Sequence, residues 1–402
     1  MHTRDLIRSP HSDGVTIYLD YAAATPLDPR IERVMARYAH KEFGNPSSLH
    51  GYGVAAKKAV EDARRSVAQI LHCRPSEIVF TAGGTEAINL AILGRARAYP
   101  HNAHLITSVI EHHAVLRSHQ HLEREGSRVT YLPCDRYGII DPDAVRKAIM
   151  PETALVSIMY ANNEIGTIEP IQEIAKVIRR AREERRSKNN STPLSFFTDA
   201  CQAAGAFDLN IEKLGIDMMA LNSGKIYGPK GSGCLYVRGG VRLEPLLYGG
   251  GQEKGLRSGT ENIPAIIGFA QALKIANQMR EKEHARVTKL RDFFIGEIKK
   301  RIPTVILNGH PVQRLPNNIN ISIPHVEGEA LVIYLDAEGI AASTGSACSS
   351  VEMEPSHVIA ALGIPQEYRS GSLRLTMGRK TTKKDIQYVL DVLPKIVHLL
   401  KQ

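Results

Sequence analysis

The chain has 402 residues, of which 43% are hydrophobic, and this is sufficient for two packed domains. Its formal net charge is +9, and its five cysteines form no Cys-x-x-Cys pair, which argues against a disulfide framework or a structural zinc site. No apolar run reaches the ~18 residues that span a bilayer, and no apolar segment follows the charged N-terminal residues. We therefore expect a cytoplasmic protein without a membrane partner.

Strands and helices alternate along the first half of the chain. Their apolar spacing predicts strands at 17–20, 78–80, 104–109, 129–132, 155–160 and a run ending at Asp199, and helices at 29–43, 53–71, 86–98, 115–126, 142–150 and 171–186. Two further apolar runs, 216–221 and 234–237, flank a glycine-rich turn. This alternation predicts an α/β fold with a mostly parallel sheet, in which ligands bind at the carboxyl ends of the strands.

The pattern changes after Gly268. A long amphipathic helix over 269–300 connects to a region with strands near 318–323, a helix at 328–338 and a final helix at 383–400. A basic run begins at Arg179 and ends at Lys188, and it is best explained as a solvated helix end that continues into a polar loop. No RNA-binding signature accompanies it, so we expect no direct nucleic-acid partner.

Two turns that follow predicted strands carry candidate site residues. Gly84 and Thr85 open a helix, and this position suits a phosphate, although a plain strand–helix turn is equally consistent. Asp199 ends an apolar strand, where a carboxylate is either a helix cap or a site residue that holds a protonated cofactor ring nitrogen. Gln202, one turn further on, is within reach of the same ring.

Lys225 lies in a glycine-rich turn between two apolar runs. Partial desolvation there lowers the pKa of an amine and frees it to react with a carbonyl group, but an ordinary surface lysine, our interpretation of Lys230, is equally consistent. Arg374 lies in an alternating strand and can clamp a carboxylate at two points. Taken alone, a surface strand arginine is the simpler interpretation.

Cys348 differs from the other cysteines in its surroundings. It lies in Ala-Ser-Thr-Gly-Ser-Ala-Cys-Ser-Ser, residues 342–350, a small and polar run in which a thiol is exposed and able to react. The remaining thiols, most of which we expect to be packed as small core residues, are Cys73, Cys134, Cys201 and Cys234.

His112 comes just after a predicted strand, where it can stack on a planar cofactor and move protons. It is one of four histidines, with His113, His119 and His121. Their spacing matches no zinc pattern, so we expect no metal.

Together these segments resemble the group I cysteine desulfurases of the IscS/NifS type, which have the class V aminotransferase fold. The resemblance extends from about Tyr18 to Thr382 and rests on motifs that occur in the family's order. The motifs are Tyr-Leu-Asp-Tyr-Ala-Ala-Ala-Thr-Pro at 18–26, Phe-Gly-Asn-Pro-Ser-Ser at 43–48, Gly-Gly-Thr-Glu at 83–86, Glu-His at 111–112, Asn-Asn-Glu-Ile-Gly at 162–166, Asp-Ala-Cys-Gln at 199–202, Lys-Ile-Tyr-Gly-Pro-Lys-Gly at 225–231, Gly-Gly-Gly-Gln-Glu at 249–253, Arg-Ser-Gly-Thr at 257–260 and Gly-Ser-Ala-Cys at 345–348.

The resemblance implies a pyridoxal 5'-phosphate enzyme of the aspartate aminotransferase-like fold. A large domain at 28–275 would hold a mainly parallel seven-stranded sheet, and a smaller α+β domain, 1–27 with 276–402, would carry the cysteine loop. The resemblance implies that Lys225 attaches the cofactor covalently, that Asp199 contacts its pyridine nitrogen, and that Gln202 contacts its ring hydroxyl. It further implies that His112 stacks on the ring and acts as acid and base, and that Gly84 and Thr85 bind the phosphate. Asn163 would contact cofactor and substrate, Arg374 would bind the substrate carboxylate, and Cys348 would be the nucleophile. Thr260 would reach the phosphate of a neighbouring subunit, which implies a homodimer.

The implied reaction converts L-cysteine to L-alanine and leaves the sulfur on Cys348 as a persulfide. An acceptor protein, either an iron–sulfur scaffold or a tRNA-thiolation carrier, would then take the sulfur. The loop that starts at Cys348 and ends at Ala361 matches the longer loop of group I. Two alternatives remain open: an aminotransferase or selenocysteine lyase on the same fold, against which Cys348 argues, and a non-catalytic scaffold that binds cofactor poorly.

The chain departs from the family pattern at two places. Family members carry Ser-Gly-His or Ser-Ala-His before the lysine, and the Ser and His donate to the phosphate, whereas this chain has Asn222, Ser223 and Gly224. The His donor is missing, and Asn222 and Ser223 are the candidates to replace it. The basic stretch at 179–193 is also longer than in the family, and we predict a mobile surface insertion at 187–193.

Overall fold

The computed structural model describes residues 17–99, 103–345 and 356–402. The strands are β1 Ile17–Tyr18, β2 Ile78–Thr81, β3 His104–Ser108, β4 Arg128–Leu132, β5 Thr153–Ser157, β6 Ser195–Asp199, β7 Met218–Asn222, β8 Gly233–Val237, β9 Ile306–Leu307, β10 Asn318–Ser322, β11 Ile340–Ala341 and β12 Ser372–Thr376. The helices are α1 Pro29–His40, α2 Gly51–Leu71, α3 Gly84–Arg97, α4 His113–Arg124, α5 Pro142–Ala148, α6 Ile171–Ser187, α7 Ile211–Leu214, α8 Ile263–Arg301, α9 Gly328–Ala337, α10 His357–Ala361, α11 Gln366–Arg369 and α12 Lys383–Leu400.

The largest sheet has seven strands in the order β2-β8-β7-β6-β5-β3-β4. Every neighbouring pair from β7 to β4 is parallel, and β8 is antiparallel to both of its neighbours. Strands β3, β5 and β6 are buried along their whole length, which explains why their apolar residues are adjacent rather than alternating. The predicted α/β fold with a mainly parallel seven-stranded sheet is confirmed.

A second, smaller group of strands packs around its own core. Strand β10 is antiparallel to both β9 and β12, and β1 pairs with β11 in parallel. Helix α8 joins the two parts because its first half contributes Phe269 and Leu273 to the core of the large sheet, and its second half contributes Phe294 and Ile298 to the core of the small one. The domain division into 28–275 and 1–27 with 276–402 stays a prediction.

Helix ends follow side-chain signals in the sequence. Asp141 caps α5 as predicted, by accepting the backbone N–H of Asp143. The long helix begins at Ile263, six residues before the predicted start, because the Asn262 side chain caps it and accepts the N–H of Ala265. The strand predicted at 155–160 ends at Ser157, and the helix predicted at 29–43 ends at His40.

The basic stretch ends in a surface turn. Most residues from 187 to 193 are exposed, as expected for a surface segment, but hydrogen bonds hold its backbone. The buried Arg185 donates to the Thr192 carbonyl at 3.0 Å, and Asn190 donates to the Pro151 carbonyl at 2.9 Å. These two contacts anchor the turn, and the mobility predicted for 187–193 stays a prediction. Within the described ranges, no helix combines the length and the apolar character needed to cross a membrane.

Candidate active site

A cavity of about 360 Å³ lies at the carboxyl ends of the large sheet's central strands, between that sheet and the small one. It brings together nine predicted site residues: Gly84, Thr85, His112, Asn163, Asp199, Gln202, Asn222, Lys225 and Arg374. These residues come from six separate segments of the chain. Cys348 lies outside the described residues.

Lys225 ends a short 3₁₀ turn, Ser223–Lys225, that follows β7. Its Nζ donates to the carbonyls of Ala22 and Ala23 at 2.7 and 2.6 Å. Burial is the main cause that lowers the pKa of the Lys225 amine, and the charge of Arg374 acts in the same direction. The amine is therefore easier to obtain in its neutral, nucleophilic form than that of a surface lysine.

Asp199 is the last residue of β6, and its carboxylate is buried, with 7% of the residue exposed. One carboxylate oxygen accepts the N–H of Cys201 at 2.9 Å. Gln202 also lines the cavity and donates to the Ala22 carbonyl at 3.1 Å. The sequence left open whether Asp199 is a cap or a site residue. In the structure it is both, because it caps the following turn and also lies at the cavity wall.

His112 precedes α4, and its ring nitrogen Nδ1 accepts the N–H of Ala114 at 3.0 Å. Because an acceptor nitrogen carries no proton, the proton of the neutral ring is on Nε2. Burial lowers the pKa of His112, while the carboxylate of Asp199 acts against that effect. The ring is therefore placed in the cavity as a neutral imidazole with an Nε2–H group to donate.

The N-terminus of α3 forms another part of the wall. A Cβ atom on Gly84 would lie 2.7 Å from the Sγ of Cys201 and 3.5 Å from the Nδ2 of Asn222, so only glycine fits there. Asn222 accepts the N–H of Gly224 through Oδ1, which leaves its Nδ2 group on the cavity side. Helix N-termini favour anions, and Asn222 adds a side-chain donor beside this one.

Two predicted cofactor residues do not line the cavity. Ser223 is fully buried, and its Oγ would lie 2.1 Å from a Cβ placed on Gly228, on the side of α8 rather than the cavity. Thr260 is exposed and is absent from the residues that surround this cavity. Of the two candidates for the missing His donor, the structure therefore brings only Asn222 to the site.

Arg374 is not the surface arginine that its strand alone suggests, because only 3% of it is exposed. Its Nη2 donates to the Asp20 carboxylate at 2.8 Å, and its Nη1 donates to the carbonyls of Asn163 and Gly345 at 3.1 and 3.2 Å. The buried Nε–H has no hydrogen-bond partner within the described part of the chain. The guanidinium is thus held rigidly at the cavity wall beside Asn163.

The structure adds cavity residues to which the sequence assigned no role in the site. Glu164, His113 and His357 line the cavity, and the two histidine rings lie 4.8 Å apart. Glu164 belongs to the Asn-Asn-Glu-Ile-Gly motif, but the spacing of apolar residues there did not indicate that it is buried. Asp20 also lies within a quoted motif, and its partner Arg374 is 354 residues away, a pairing that local sequence cannot indicate.

The other four cysteines have thiols whose reactivity is reduced by burial. Cys201 and Cys234 are buried, and burial raises the pKa of both thiols well above the usual range. Cys73 and Cys134 are half-buried, and burial raises their pKa values to about 12 and about 11. None of these four thiols is a ready nucleophile at neutral pH.

Comparisons with known proteins agree with this geometry. The family model described as aminotransferase class-V matches residues 17–389. The curated cysteine desulfurase IscS of Dictyoglomus turgidum is 47% identical over 386 residues, which cover 96% of this chain and 95% of that protein.

Two solved structures share the fold along nearly their whole length. A NifS-like protein superposes with a TM-score of 0.87 at 33% identity, covering 96% of this chain and 100% of that one. SspA in complex with cysteine superposes with a TM-score of 0.78 at 34% identity, covering 90% and 99%. The resemblance inferred from the motifs is confirmed: the chain belongs to the class-V aminotransferase family and, within it, to the cysteine desulfurases.

Proposed function

We propose that this chain is a pyridoxal 5'-phosphate-dependent cysteine desulfurase that converts L-cysteine to L-alanine. The substrate's C–S bond breaks, its sulfur forms an S–S bond with Cys348, and the products are L-alanine and a Cys348 persulfide. The observation that supports this most is the convergence in one cavity of a desolvated lysine, a buried aspartate, a neutral histidine and a buried arginine: Lys225, Asp199, His112 and Arg374.

The residues present fit the cofactor. The start of α3 is kept free of side chains at Gly84, where even a Cβ would collide with Cys201, and this leaves room for a phosphate against backbone N–H groups. Thr85 and Asn222 would add donors there, Asp199 would hold the ring nitrogen, Gln202 would face the ring hydroxyl, and Asn163 would contact the ring. The bound cofactor would supply an electron sink for charge at the substrate's Cα.

Lys225 and His112 would both take part in acid–base catalysis. The lowered pKa of Lys225 keeps a fraction of its amine neutral, so that it can attach the cofactor and, once displaced, accept a proton. His112 would donate a hydrogen bond from Nε2, because Nδ1 is already occupied by the Ala114 N–H.

Arg374 and Asn163 would bind and orient the substrate carboxylate. Arg374 lines the cavity beside Asn163, and its guanidinium charge would attract the substrate carboxylate. The Asp20 carboxylate and two carbonyls fix the guanidinium plane, which reduces the ordering cost of binding.

We further propose a cytoplasmic homodimer that passes sulfur to an iron–sulfur scaffold or a tRNA-thiolation carrier. Thr260 is exposed and outside its own cavity, which suits a contact with the neighbouring subunit's phosphate. Mixing Thr260→Ala with Lys225→Ala subunits should then restore activity, because each mixed dimer regains one complete site. Two inactive variants that stay inactive after mixing would count against shared sites.

The test of the main proposal combines visible absorbance with product analysis. Protein purified with the cofactor should be yellow. With a thiol reductant present to release the persulfide sulfur, it should form alanine and sulfide from L-cysteine, and Cys348→Ala should stay yellow but form neither at an appreciable rate. Yellow protein that is inactive on cysteine would favour an aminotransferase or a selenocysteine lyase. Colourless protein would favour the non-catalytic scaffold.

A further inference from the structure

Glu164 is a cavity residue to which the proposed reaction assigns no role. It follows Asn163, and only 3% of it is exposed. Its backbone is fixed from both sides, because its N–H donates to the Asn162 side chain at 2.8 Å and its carbonyl accepts from the amides of Asn318 and Asn320, each at 3.1 Å. The backbone of Glu164 is thus held by residues of both the large-sheet and the small-sheet regions.

The carboxyl group of Glu164 lies near both residues that border the cysteine segment, which we define as residues 346–355. On the C-terminal side, the hydroxyl of Ser356 donates to Glu164 Oε2. On the N-terminal side, the same oxygen would lie 3.2 Å from a Cβ placed on Gly345, a residue with φ of +102°. The Glu164 carboxylate is therefore hydrogen-bonded to the residue directly after the cysteine segment and lies close to the residue directly before it.

The neighbours of Glu164 also connect it to Arg374, the residue proposed to bind the substrate carboxylate. Arg374 donates to the carbonyls of Asn163 and Gly345, the residues directly before Glu164 and directly before the cysteine segment. Ser356 in turn caps α10 by accepting the N–H groups of Val358 and Ile359. One hydrogen-bonded cluster thus contains Arg374 and both residues that border the cysteine segment, Gly345 and Ser356.

We propose that Glu164 is a positioning residue that fixes Gly345 and Ser356, the residues bordering the cysteine segment, relative to Arg374, and so controls how fast Cys348 takes up the substrate's sulfur. This inference rests on the proposed function. Burial raises the pKa of the Glu164 carboxyl to about 7, while the Ser356 hydrogen bond and the charge of Arg374 lower it. Such a costly buried acid is consistent with a requirement for its acceptor oxygen.

The experiment compares Glu164→Leu, which keeps the bulk but loses both acceptors, with Glu164→Gln, which keeps one acceptor without the charge. The matched control is Glu169→Gln. Glu169 is a buried residue of the same loop between β5 and α6, its carboxylate accepts the Ile140 N–H, and it does not line the cavity. All are measured as full-length protein with cofactor, by the absorbance change on cysteine binding and by the rate of persulfide formation on Cys348.

We expect the Leu variant to bind cysteine nearly as the wild type does but to form persulfide at least about tenfold more slowly, the scale of one lost charge-assisted hydrogen bond. The Gln variant should lose less, and Glu169→Gln should form persulfide as the wild type does. Ser356→Ala should reproduce the Leu defect without adding to it in the double variant. A wild-type persulfide rate in Glu164→Leu, or an equal loss of binding and transfer, would overturn the inference.

A second measurement separates this inference from the proposed function. The rate of Cys348 alkylation by iodoacetamide, measured without cysteine, should rise about threefold or more in Glu164→Leu and Ser356→Ala and stay unchanged in Glu169→Gln. If the wild type forms no persulfide, the proposed function fails, while the alkylation rates still decide the role of Glu164. An unchanged rate in Glu164→Leu would refute that role.

Discussion

The two walls of the cavity are built in different ways. On the wall of the large sheet, Asp199 ends β6, Asn222 ends β7, and Lys225 follows one turn later, so secondary structure alone places these residues. On the opposite wall, Arg374 lies inside β12, and its orientation depends on an acceptor 211 residues away at Asn163 and another 354 residues away at Asp20. The first wall follows from local structure, and the second requires the two regions to pack together.

This difference separates two kinds of defect. Changes on the large-sheet wall should act on cofactor attachment, because the residues there surround the start of α3 and the reactive amine. Changes on the opposite wall should act on substrate and sulfur, and should leave the cofactor bound.

The largest effect is expected from Lys225→Ala, which removes the reactive amine from the large-sheet wall. Turnover should fall by about a thousandfold or more. Borohydride reduction followed by mass spectrometry should show no cofactor attached to this variant. The neighbouring Lys230→Ala serves as control and should keep the attached cofactor, and an adduct that persists in Lys225→Ala would place the reactive lysine elsewhere.

Arg374→Gln should break the opposite wall. We expect kcat/KM for cysteine to fall about a hundredfold, the scale for losing one partner of a buried charge pair, while the visible absorbance of the cofactor stays. The control is Arg291→Gln, another buried arginine, which donates to the Leu315 carbonyl and does not line the cavity. Loss of cofactor absorbance in Arg374→Gln would contradict the division between the two walls.

A smaller effect should distinguish the two candidates for the missing phosphate donor. Asn222→Ala should raise the dissociation constant of the cofactor about tenfold, since Nδ2 faces the cavity. Ser223→Ala should leave it unchanged, because the Ser223 Oγ is buried without a partner in the described residues and away from the cavity. Equilibrium titration of the apoprotein measures both, and the reverse order would place Ser223 at the phosphate.

The smallest effect concerns an ion pair between the two regions. Asp28 caps α1 and accepts hydrogen bonds from Arg30 and from Arg379, which follows β12. The Arg30 hydrogen bond is the main cause that lowers the pKa of Asp28 from 3.8 to about 2. Because the folded pKa is depressed, this stabilisation is present above pH 3.8 and is lost as pH falls towards 2.

Asp28→Asn keeps the helix cap and removes the charge. It should lower the free energy of unfolding by about 1–2 kcal/mol at pH 7, and the difference from the wild type should shrink as the pH falls below 4. Urea denaturation at neutral and acidic pH measures this. An equal difference at both values would mean that the charge of Asp28 does not stabilise the fold.

The same contrast explains what the sequence could predict. Asp199 and Lys225 were candidates because of their places beside apolar runs, although only the family resemblance assigned their roles, and most elements lie within a few residues of their predicted bounds. Arg374 looked like a surface residue because an alternating strand does not reveal what covers it. Ser223 was misplaced because the turn that directs Asn222 into the cavity turns the next side chain under α8. The link between Glu164 and Ser356, 192 residues apart, exists only in the folded chain.

The most direct test of the central claim is to locate the sulfur after turnover. The cofactor-loaded protein is mixed with L-cysteine in the absence of an acceptor and quenched, and each cysteine-containing peptide is examined by mass spectrometry. We predict one added sulfur atom on the peptide that carries Cys348 and none on those carrying Cys73, Cys134, Cys201 or Cys234. Sulfur on any of those four thiols, or alanine formed while Cys348 stays unmodified, would contradict the account.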